Sequence, residues 1–449
     1  MRLAIIGGGI TGLAAAFEAH QAGVDFHLFE ASHRFGGTIQ TIEHDGAIME
    51  AGPDSILKSK PWAYDLVREL DLTPEVVTTQ EQPNGSFIVR DRELHPIPQG
   101  FRLMAPTAWM QFLRSPIVSW PGKFRVMLEP FIPARKAAGD ESLTGFVTRR
   151  LGREVLERLA QPMVSGIYSA DPDRLSLEAT MPVFLRLERE HGSIIRGLRA
   201  TGEGAKASGA QYNLFFNLKG GSQRLVEALV EHLPAERLHL NSPVTDLAPG
   251  WSFQACGESH QCEAVLVGLP GPLAAQLLAF DPDLAGLFSR VRYSSAALVN
   301  LVYEIDDLED LPAGYGFVVP SIEDMHLLAC TFSYLKWPGR SPRHLGHIRA
   351  YFGGAHNQSV LERADHELVA LARSDLARLT GLEAEPVASF VHHHRDGLPE
   401  YAVGHREWQI KVEARAATHP GLGLAGNAFD GVGIPDCIRR GRETARRLF

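Results

Sequence analysis

The sequence predicts an α/β protein, and three stretches of the chain carry this prediction. An apolar run at residues 3–6 leads directly into a glycine-rich turn and a helical pattern. A second apolar run at residues 24–29 ends in an acidic residue, and another strand, glycine turn and helix occupy residues 421–449. Short apolar strands alternating with helices are typical of a buried parallel sheet. We therefore expect a Rossmann-like domain with further structure inserted into it.

The first glycine turn has the spacing that binds dinucleotides. Gly7, Gly9 and Gly12 lie between the predicted strand and a helical stretch. In such turns the first glycine permits a tight bend, the second lets the backbone approach a pyrophosphate, and the third lets helix and strand pack closely. Glu30 ends the second strand, where a carboxylate accepts ribose hydroxyls and disfavours a 2′-phosphate. A glycine turn that binds nothing is the weaker alternative.

The residues after Glu30 favour FAD over NAD. Arg34 is followed by the pair Gly36 and Gly37, and paired glycines indicate a backbone that comes close to another group. We therefore expect a second contact on the phosphate side of the cofactor. A surface salt bridge is the alternative role for Arg34.

The C-terminal segment repeats the order of strand, glycine turn and helix. Gly426 and Asn427 follow a short apolar run, and residues 431–438 open a helix that runs to the end. Backbone N–H groups at this turn would face the carbonyl edge of a flavin, and Asn427 would hold its ribityl chain. We therefore expect one non-covalent FAD per chain, bound by a discontinuous domain. Cys437 as a covalent flavin anchor is the weaker alternative, because free cysteine is usually a small hydrophobe.

Composition disfavours several other classes of protein. The chain has 449 residues, of which 44 are basic and 53 acidic, and the net charge of −9 gives no broad attraction to nucleic acid. The four cysteines lack metal-site spacing and disulfide density, so we expect reduced thiols. Consecutive strand residues alternate faces, so His392, His393 and His394 are not expected to share a metal ion. The N-terminus is unlike a signal peptide, and no apolar stretch approaches about 18 residues, so we expect a cytoplasmic protein.

Several strings along nearly the whole chain resemble the porphyrinogen oxidases, a group within the flavin amine oxidase superfamily. The strings occupy residues 50–55, 164–172, 187–193, 425–427 and 431–437, and residues 30–37 match the superfamily at large. The resemblance implies an amine-oxidase-like FAD-binding domain with an inserted α+β substrate domain and a helical lobe.

The resemblance also implies an activity. It is the oxidation of coproporphyrinogen III to coproporphyrin III in haem synthesis, by repeated two-electron steps in which flavin N5 takes a hydride and oxygen becomes hydrogen peroxide. Ser86 and residues 94–98 look like the soluble coproporphyrinogen enzymes. The alternatives are protoporphyrinogen IX as substrate, another flavin amine oxidase or a carotenoid desaturase, and a non-enzymatic flavin-binding protein.

The resemblance further implies which residues contact cofactor and substrate. The cofactor contacts are Gly7, Gly9, Ile10, Thr11, Gly12, Glu30, Ala31, Arg34, Gly36, Gly37, Thr38, Gly52, Pro53, Asp54, Val244, Gly426, Asn427, Val432, Gly433 and Ile434. The substrate contacts are Asp54, Lys60, Gly166, Ile167 and Phe332. An exposed helix start is the alternative for Lys60, and a core position is the alternative for Phe332. The flavin takes the hydride, so we assign no catalytic side chain and no metal.

Domain boundaries and partners complete these expectations. The FAD-binding domain would comprise residues 1–75, 216–275 and 396–449, and the substrate domain residues 76–215 and 276–395, with a helical lobe near 97–200. Family members use this lobe to touch membranes, and Met104, Trp109, Met110, Phe112 and Leu113 would form an apolar patch beside Arg102 and Arg114. A helical lid packed on the substrate domain is the alternative. Expected partners are the porphyrinogen, oxygen and, transiently, the next enzyme of haem synthesis, with at most peripheral contact on the inner face of the cell membrane.

Overall fold

The computed structural model describes residues 2–81, 85–98, 101–102, 105–136, 139–201, 214–355 and 357–449. The strands are β1 Leu3–Ile6, β2 Phe26–Phe29, β3 Thr41–His44, β4 Ala47–Glu50, β5 Ile56–Leu57, β6 Val76–Thr78, β7 Phe87–Arg90, β8 Glu93–Pro96, β9 Phe101–Arg102, β10 Ala105–Pro106, β11 Phe215–Leu218, β12 Leu238–His239, β13 Thr245–Ala248, β14 Ser252–Ala255, β15 Glu258–Gln261, β16 Ala264–Val267, β17 Tyr293–Glu304, β18 Gly316–Val318, β19 Ala329–Phe332, β20 Leu345–Gly353, β21 Ala388–Pro399 and β22 Leu422–Leu424. The helices are α1 Ile10–Gln21, α2 Pro61–Glu69, α3 Trp109–Arg114, α4 Trp120–Met127, α5 Leu143–Arg150, α6 Arg153–Val155, α7 Gln161–Tyr168, α8 Leu177–Thr180, α9 Pro182–His191, α10 Ile194–Ala200, α11 Gln223–Glu231, α12 Gly271–Leu277, α13 Pro282–Ser289, α14 Ser333–Lys336, α15 Asp365–Thr380, α16 His405–Ala416 and α17 Ile434–Arg446.

Strand β1 lies at the centre of a five-stranded parallel sheet with the order β12-β2-β1-β16-β22. Leu3 at its start pairs with Phe26 of β2 and with Ala264 of β16. All four residues of β1 are buried, as expected for a parallel strand covered on both faces. The Rossmann-like domain predicted from the sequence is confirmed, and its strands come from the beginning, the middle and the end of the chain.

Alternation along β1 divides the packing into two layers. Leu3 and Ile5 pack in one hydrophobic cluster with residues of α1, α2, α11 and α17. Ala4 and Ile6 face the other way and pack with residues of β14, α12, α13 and α16. Because successive strand residues point to opposite faces, the apolar run of β1 supplies both layers. Helices α1 and α17 therefore lie side by side on one face of the sheet.

A second sheet of seven strands has the order β21-β17-β20-β19-β18-β7-β8 and is antiparallel except where β18 pairs with β7. One face packs on α15 through residues such as Leu301 and Ile348. The opposite face contacts the segment 50–54, because Asn300 Nδ2 donates to Glu50 O and Arg349 Nη2 donates to Gly52 O. This contact brings the second sheet against the segment that follows β4.

Helices α3 to α10 form a separate helical lobe with its own hydrophobic cluster. Met104 of the predicted apolar patch lies outside the described residues. Phe112 of that patch is buried in the lobe, so it does not join an exposed surface. Met110 of that patch is exposed. Further exposed apolar side chains lie on α4 and the turn after it, at Trp120, Phe124, Leu128 and Phe131. Among the described residues, no helix is both long and apolar enough to cross a membrane.

Candidate functional site

The glycine turn between β1 and α1 leaves no room for side chains at two of its positions. Gly7 has a φ of 106°, and a methyl group on Gly12 would lie 1.9 Å from Gly7 O. A methyl group on Gly9, by contrast, would meet no atom of the described residues within 4 Å. Gly9 is also the N-cap of α1 and offers no side-chain cap to the helix N–H groups. The turn therefore presents an open space in front of a helix N-terminus, which suits a pyrophosphate.

Glu30 is held beside this turn by two backbone donors. Gly8 N donates to Glu30 Oε2 at 2.7 Å, and Ser32 N donates to Glu30 Oε1 at 2.8 Å. These bonds fix the carboxylate at the end of β2, and each oxygen keeps a lone pair for a further donor. The geometry suits acceptance of ribose hydroxyls.

The segment after Glu30 is tied to the first turn. Gly36 N donates to Gly8 O at 2.8 Å, and Gly36 has a φ of 108°, a conformation that favours glycine. The Arg34 guanidinium donates to the carbonyl oxygens of Phe35, Gly37 and Ile39. Arg34 thus organises this loop from within, and among the described residues it does not form the surface salt bridge considered as the alternative.

The N-terminus of α17 lies next to that of α1. A methyl group on Gly441 would lie 2.2 Å from Thr11 O, so the two helices cross with their backbones in contact. Gly433 is the N-cap of α17 and, like Gly9, provides no side-chain cap. Burial raises the pKa of Cys437, in the first turns of α17, to about 12, which keeps it a protonated thiol at neutral pH. The starts of the two helices therefore lie close together.

The other predicted cofactor contacts lie in the same region. Gly52 is pressed on the 36–38 loop, since a methyl group there would lie 1.9 Å from Thr38 O. Pro53 O accepts a hydrogen bond from Ser222 Oγ. Asn427 Nδ2 donates to Gly397 O at 3.1 Å. Val244 packs against the hydrophobic cluster that contains Ala4 and Ile6 of β1. Ala31 is exposed, while Ile10 and Ile434 are buried at the starts of their helices, and Val432 packs on the helical lobe.

A buried charge cluster ties the 50–54 segment to the second sheet. Asp54 Oδ2 lies 3.2 Å from Lys336 Nζ and 3.1 Å from Arg349 Nη1. Burial opposes the ionised form of Asp54, but Lys336 and Arg349 outweigh it and hold the pKa of that carboxyl well below its usual range. Glu50 is paired in the same way with buried Arg340, at 3.1 Å. The segment is therefore held by ion pairs to β20, to α14 and to the loop between them.

Neighbouring histidines remain neutral in this cluster. Burial, followed by the charges of Arg349 and Arg340, lowers the pKa of His347 to about 3. Burial likewise lowers the pKa of His394, whose Nε2 lies 2.6 Å from Ala51 O. His393 points to the opposite face and contacts Asp365. The three consecutive histidines are thus divided between two faces of β21.

Three of the predicted substrate residues gather near the start of α17. Lys60 Nζ lies 2.7 and 2.6 Å from the two carboxylate oxygens of Asp436. Gly166 and Ile167 are exposed at the end of α7. Tyr168 follows them, and burial together with the charge of Asp436 raises its pKa to about 12. The open end of α7 therefore faces the same carboxylate that binds Lys60.

Phe332 lies elsewhere. It is fully buried, packs on Phe317, and pairs in register with Ile348 on the α15 side of the second sheet. Its neighbour Thr331 pairs with Arg349 and occupies the face toward residues 50–54. The expectation that Phe332 contacts substrate does not fit this placement, because strand alternation turns the ring away from the site.

Sequence reasoning missed Arg349 and Arg340. Both are nearly fully buried and contact the 50–54 segment. A signal exists for Arg349, since it interrupts the apolar run of β20, and a buried charge in a strand requires a partner. Its partner Asp54 is distant along the chain, so the pairing itself is visible only in the fold.

The sheet order, the two glycine turns and the carboxylate at the end of β2 define a Rossmann-like α/β protein whose candidate cofactor site uses both ends of the chain. A model of the flavin containing amine oxidoreductase family matches residues 10–449. The chain is 35% identical to coproporphyrinogen III oxidase of Bacillus subtilis (strain 168), with 98% of this chain and 96% of the relative covered. It is 26% identical to protoporphyrinogen oxidase 2 of Arabidopsis thaliana, with coverage of 99% and 93%.

A solved structure from Exiguobacterium sp. 255-15, described as a candidate protoporphyrinogen oxidase, is also similar to this chain. The two share 30% identity and a TM-score of 0.87, with 100% of this chain and 98% of that chain covered. The chain therefore belongs to the flavin containing amine oxidoreductases and, among them, to the porphyrinogen oxidases. Membership in this family implies a flavin cofactor, and the open turn at Gly9 and the uncapped helix N-termini fit one.

Proposed function

We propose that this chain is an FAD-dependent oxidase that converts coproporphyrinogen III to coproporphyrin III, with oxygen as acceptor and hydrogen peroxide as product. The observation that carries the proposal is the 35% identity, over nearly all of both chains, to the Bacillus subtilis enzyme of that name. The nucleotide-binding geometry supports it, because Gly9 opens onto free space beside a helix N-terminus and Glu30 is positioned for a ribose. The FAD is non-covalent in this proposal, consistent with the protonated Cys437 thiol.

The bound flavin would supply the hydride acceptor for each two-electron step. The chain's own residues would bind and orient it. The α1 N-terminus would hold the pyrophosphate and Glu30 the ribose, and N–H groups at the α17 N-terminus would stabilise negative charge on the reduced flavin. Lys60 and the open end of α7 form the substrate side, where Lys60 lies at 39% side-chain exposure beside Asp436. A partly exposed cation there suits a propionate, which would compete with Asp436 for Lys60.

Porphyrin fluorescence separates the proposed substrate from its rivals. The purified yellow protein is mixed with coproporphyrinogen III or with protoporphyrinogen IX, and the rise of porphyrin fluorescence is compared with autoxidation in buffer. We expect faster oxidation of coproporphyrinogen III, with peroxide formed in step. Preference for protoporphyrinogen IX would favour the second candidate, which the Arabidopsis thaliana relative supports. No acceleration with either substrate would refute the proposal and favour another amine oxidase, a desaturase or a non-enzymatic flavoprotein.

Substitution of Glu30 tests the cofactor assignment. We expect Glu30→Ala to weaken FAD retention by about tenfold or more, because the ribose loses its carboxylate partner. The measurement is the flavin absorbance left on the protein after extensive dialysis. Glu43→Ala serves as the control, since Glu43 is exposed on β3. Equal retention by Glu30→Ala and the control would contradict the ribose role.

We also propose that this protein is cytoplasmic and that it makes a peripheral contact with the inner face of the cell membrane. The support is the exposed stripe on α4 and the following turn: Trp120, Phe124, Leu128 and Phe131 are exposed by 61, 61, 55 and 77%. Large apolar groups at such a density on one helix face suit the boundary between lipid headgroups and acyl chains.

Vesicle binding tests this contact. We expect the double variant Trp120→Ser/Phe124→Ser to lose most of its sedimentation with phosphatidylglycerol vesicles, because two anchoring rings are removed. Ile410→Ser is the matched control, since Ile410 is an exposed apolar residue of α16 outside the stripe. If wild type and double variant sediment equally, the stripe is not a membrane contact.

A further inference from the structure

A second cleft lies away from the glycine turns, between the end of α13, the start of β17 and the first turns of α16. Its volume is about 280 Å³, and Leu287, Val403 and Trp408 contribute apolar walls. Trp408 is fixed there by a hydrogen bond from its Nε1 to Leu287 O at 2.8 Å. The volume is just below the range of about 300–1,000 Å³ that holds drug-sized ligands, so the cleft suits a smaller molecule.

Four cationic side chains line this cleft: Arg174, Arg290, Arg292 and Lys411. Within the part of the chain that the structure describes, none of the four forms an ion pair or a side-chain hydrogen bond. The carboxylates of Glu400 and Glu407 also line the cleft, which leaves an excess of two positive charges in a chain whose net charge is −9.

The neighbouring arginines of the same helix behave differently. Arg415, one turn beyond Lys411, lies 2.7 Å from Asp281, and Arg406 lies 3.7 Å from Asp430. The arginines on either side of the cleft thus form ion pairs within the protein, whereas the four cations that line the cleft form none among the described residues. Like charges brought together around a concave surface repel one another, and an anion from solution would remove that repulsion.

The cleft is separated from the flavin site by a layer of side chains. The rings of Tyr401 and His405 stack at 4.1 Å between the cleft and the C-terminal glycine segment. On the far side of this layer, Tyr401 Oη donates to Asn427 O at 2.5 Å and His405 Nε2 lies 3.0 Å from Phe429 O. A ligand in the cleft would therefore bind outside the space that serves flavin and substrate.

We propose that this cleft is a binding site for a small organic anion that carries two or more carboxylate or phosphate groups. Guanidinium groups bind both kinds of anion through paired hydrogen bonds, and a lysine adds a compact charge. The apolar walls give the site contacts for an organic body in addition to its charged groups. This proposal does not depend on the proposed porphyrinogen activity. If the anion site proves absent, the proposed activity still stands.

Calorimetric titration of the holoenzyme tests the site. Citrate is the probe for a ligand that carries carboxylates, and pyrophosphate is the probe for a ligand that carries phosphates. Sodium chloride is added so that the solutions in the cell and the syringe have equal ionic strength. We expect saturable binding of at least one probe at one site per chain. The double variant Arg290→Gln/Arg292→Gln should bind at least about tenfold more weakly, because two charged donors are lost. Both arginines are exposed, so the substitutions leave the core unchanged.

Two controls make the result decisive. Arg189→Gln removes an exposed cation of α9, outside the cleft, and should bind like the wild type. Lys411→Gln removes a third cleft cation from another element and should also weaken binding. Binding of citrate alone or of pyrophosphate alone identifies the anion class and supports the site. Absence of binding by both probes, or equal affinity in the double variant and Arg189→Gln, would overturn it.

Discussion

Replacing Gly12 by alanine is expected to abolish stable flavin binding and to destabilise the protein by about 3 kcal/mol. The added methyl group would lie 1.9 Å from Gly7 O, a backbone atom of the same turn, so α1 would have to move away from β1. Because this helix also packs on α17, the shift would disturb both helix N-termini. The measurements are denaturant unfolding of the apoprotein and flavin absorbance after dialysis.

Gly9→Ala provides the informative comparison. Within the part of the chain that the structure describes, a methyl group there meets no atom within 4 Å, and the backbone of Gly9 is in the extended region. We expect apoprotein stability close to wild type but FAD binding about tenfold weaker or more, since the methyl group enters the space assigned to the pyrophosphate. Gly286→Ala in α13, where the space is also open, should change neither property. Normal FAD affinity in Gly9→Ala would contradict the assigned position of the pyrophosphate.

Replacing Asp54 by asparagine is expected to lower the free energy of unfolding by about 3 kcal/mol at neutral pH. The substitution would leave Lys336 and Arg349 in a buried setting without their shared counter-charge. Loss of one partner of a buried ion pair is costly because the remaining charge stays desolvated. Asp65→Asn, which affects a surface ion pair with Arg68, is the matched control and should change stability little.

The same carboxylate makes stability depend on pH in a defined direction. The folded protein holds the pKa of Asp54 below its unfolded value of about 3.9, so its contribution is present above that pH and is lost as the pH falls further. We expect wild-type stability to fall more steeply than that of Asp54→Asn between about pH 5 and pH 3. Parallel pH profiles of the two proteins would show that Asp54 is not the titrating group.

The local sequence pattern was enough to predict the elements that form the candidate cofactor site. Gly7, Gly9 and Gly12 occur within six consecutive residues, and the conformations they require follow from spacing alone. The helical stretch expected after Gly12 begins already at Ile10, and the strand predicted from residue 24 begins at Phe26. Such shifts at element ends depend on caps and pairing partners, which the apolar pattern does not reveal.

Predictions that depended on the direction of a single side chain differ from the structure at Phe332 and Phe112. Phe332 belongs to an aromatic run that suits a cavity wall, yet the register of β19 turns it toward α15. Phe112 belongs to a predicted surface patch and lies instead in the core of the helical lobe. A shift of one residue in register reverses the face of every side chain, and register is set by partners far along the chain.

By itself, the sequence determined that this protein has a glycine turn in front of a helix, an acid at the end of the next strand and a second such turn near its end. These features are local, because backbone sterics allow only glycine at Gly7 and Gly12. Only the tertiary structure decided which charges meet. Asp54 forms ion pairs with Lys336 and Arg349, and Lys60 forms one with Asp436. The four cations of the second cleft form no ion pair among the described residues. The physical reason is that ion pairing depends on distance in space, and these residues lie hundreds of positions apart in the chain.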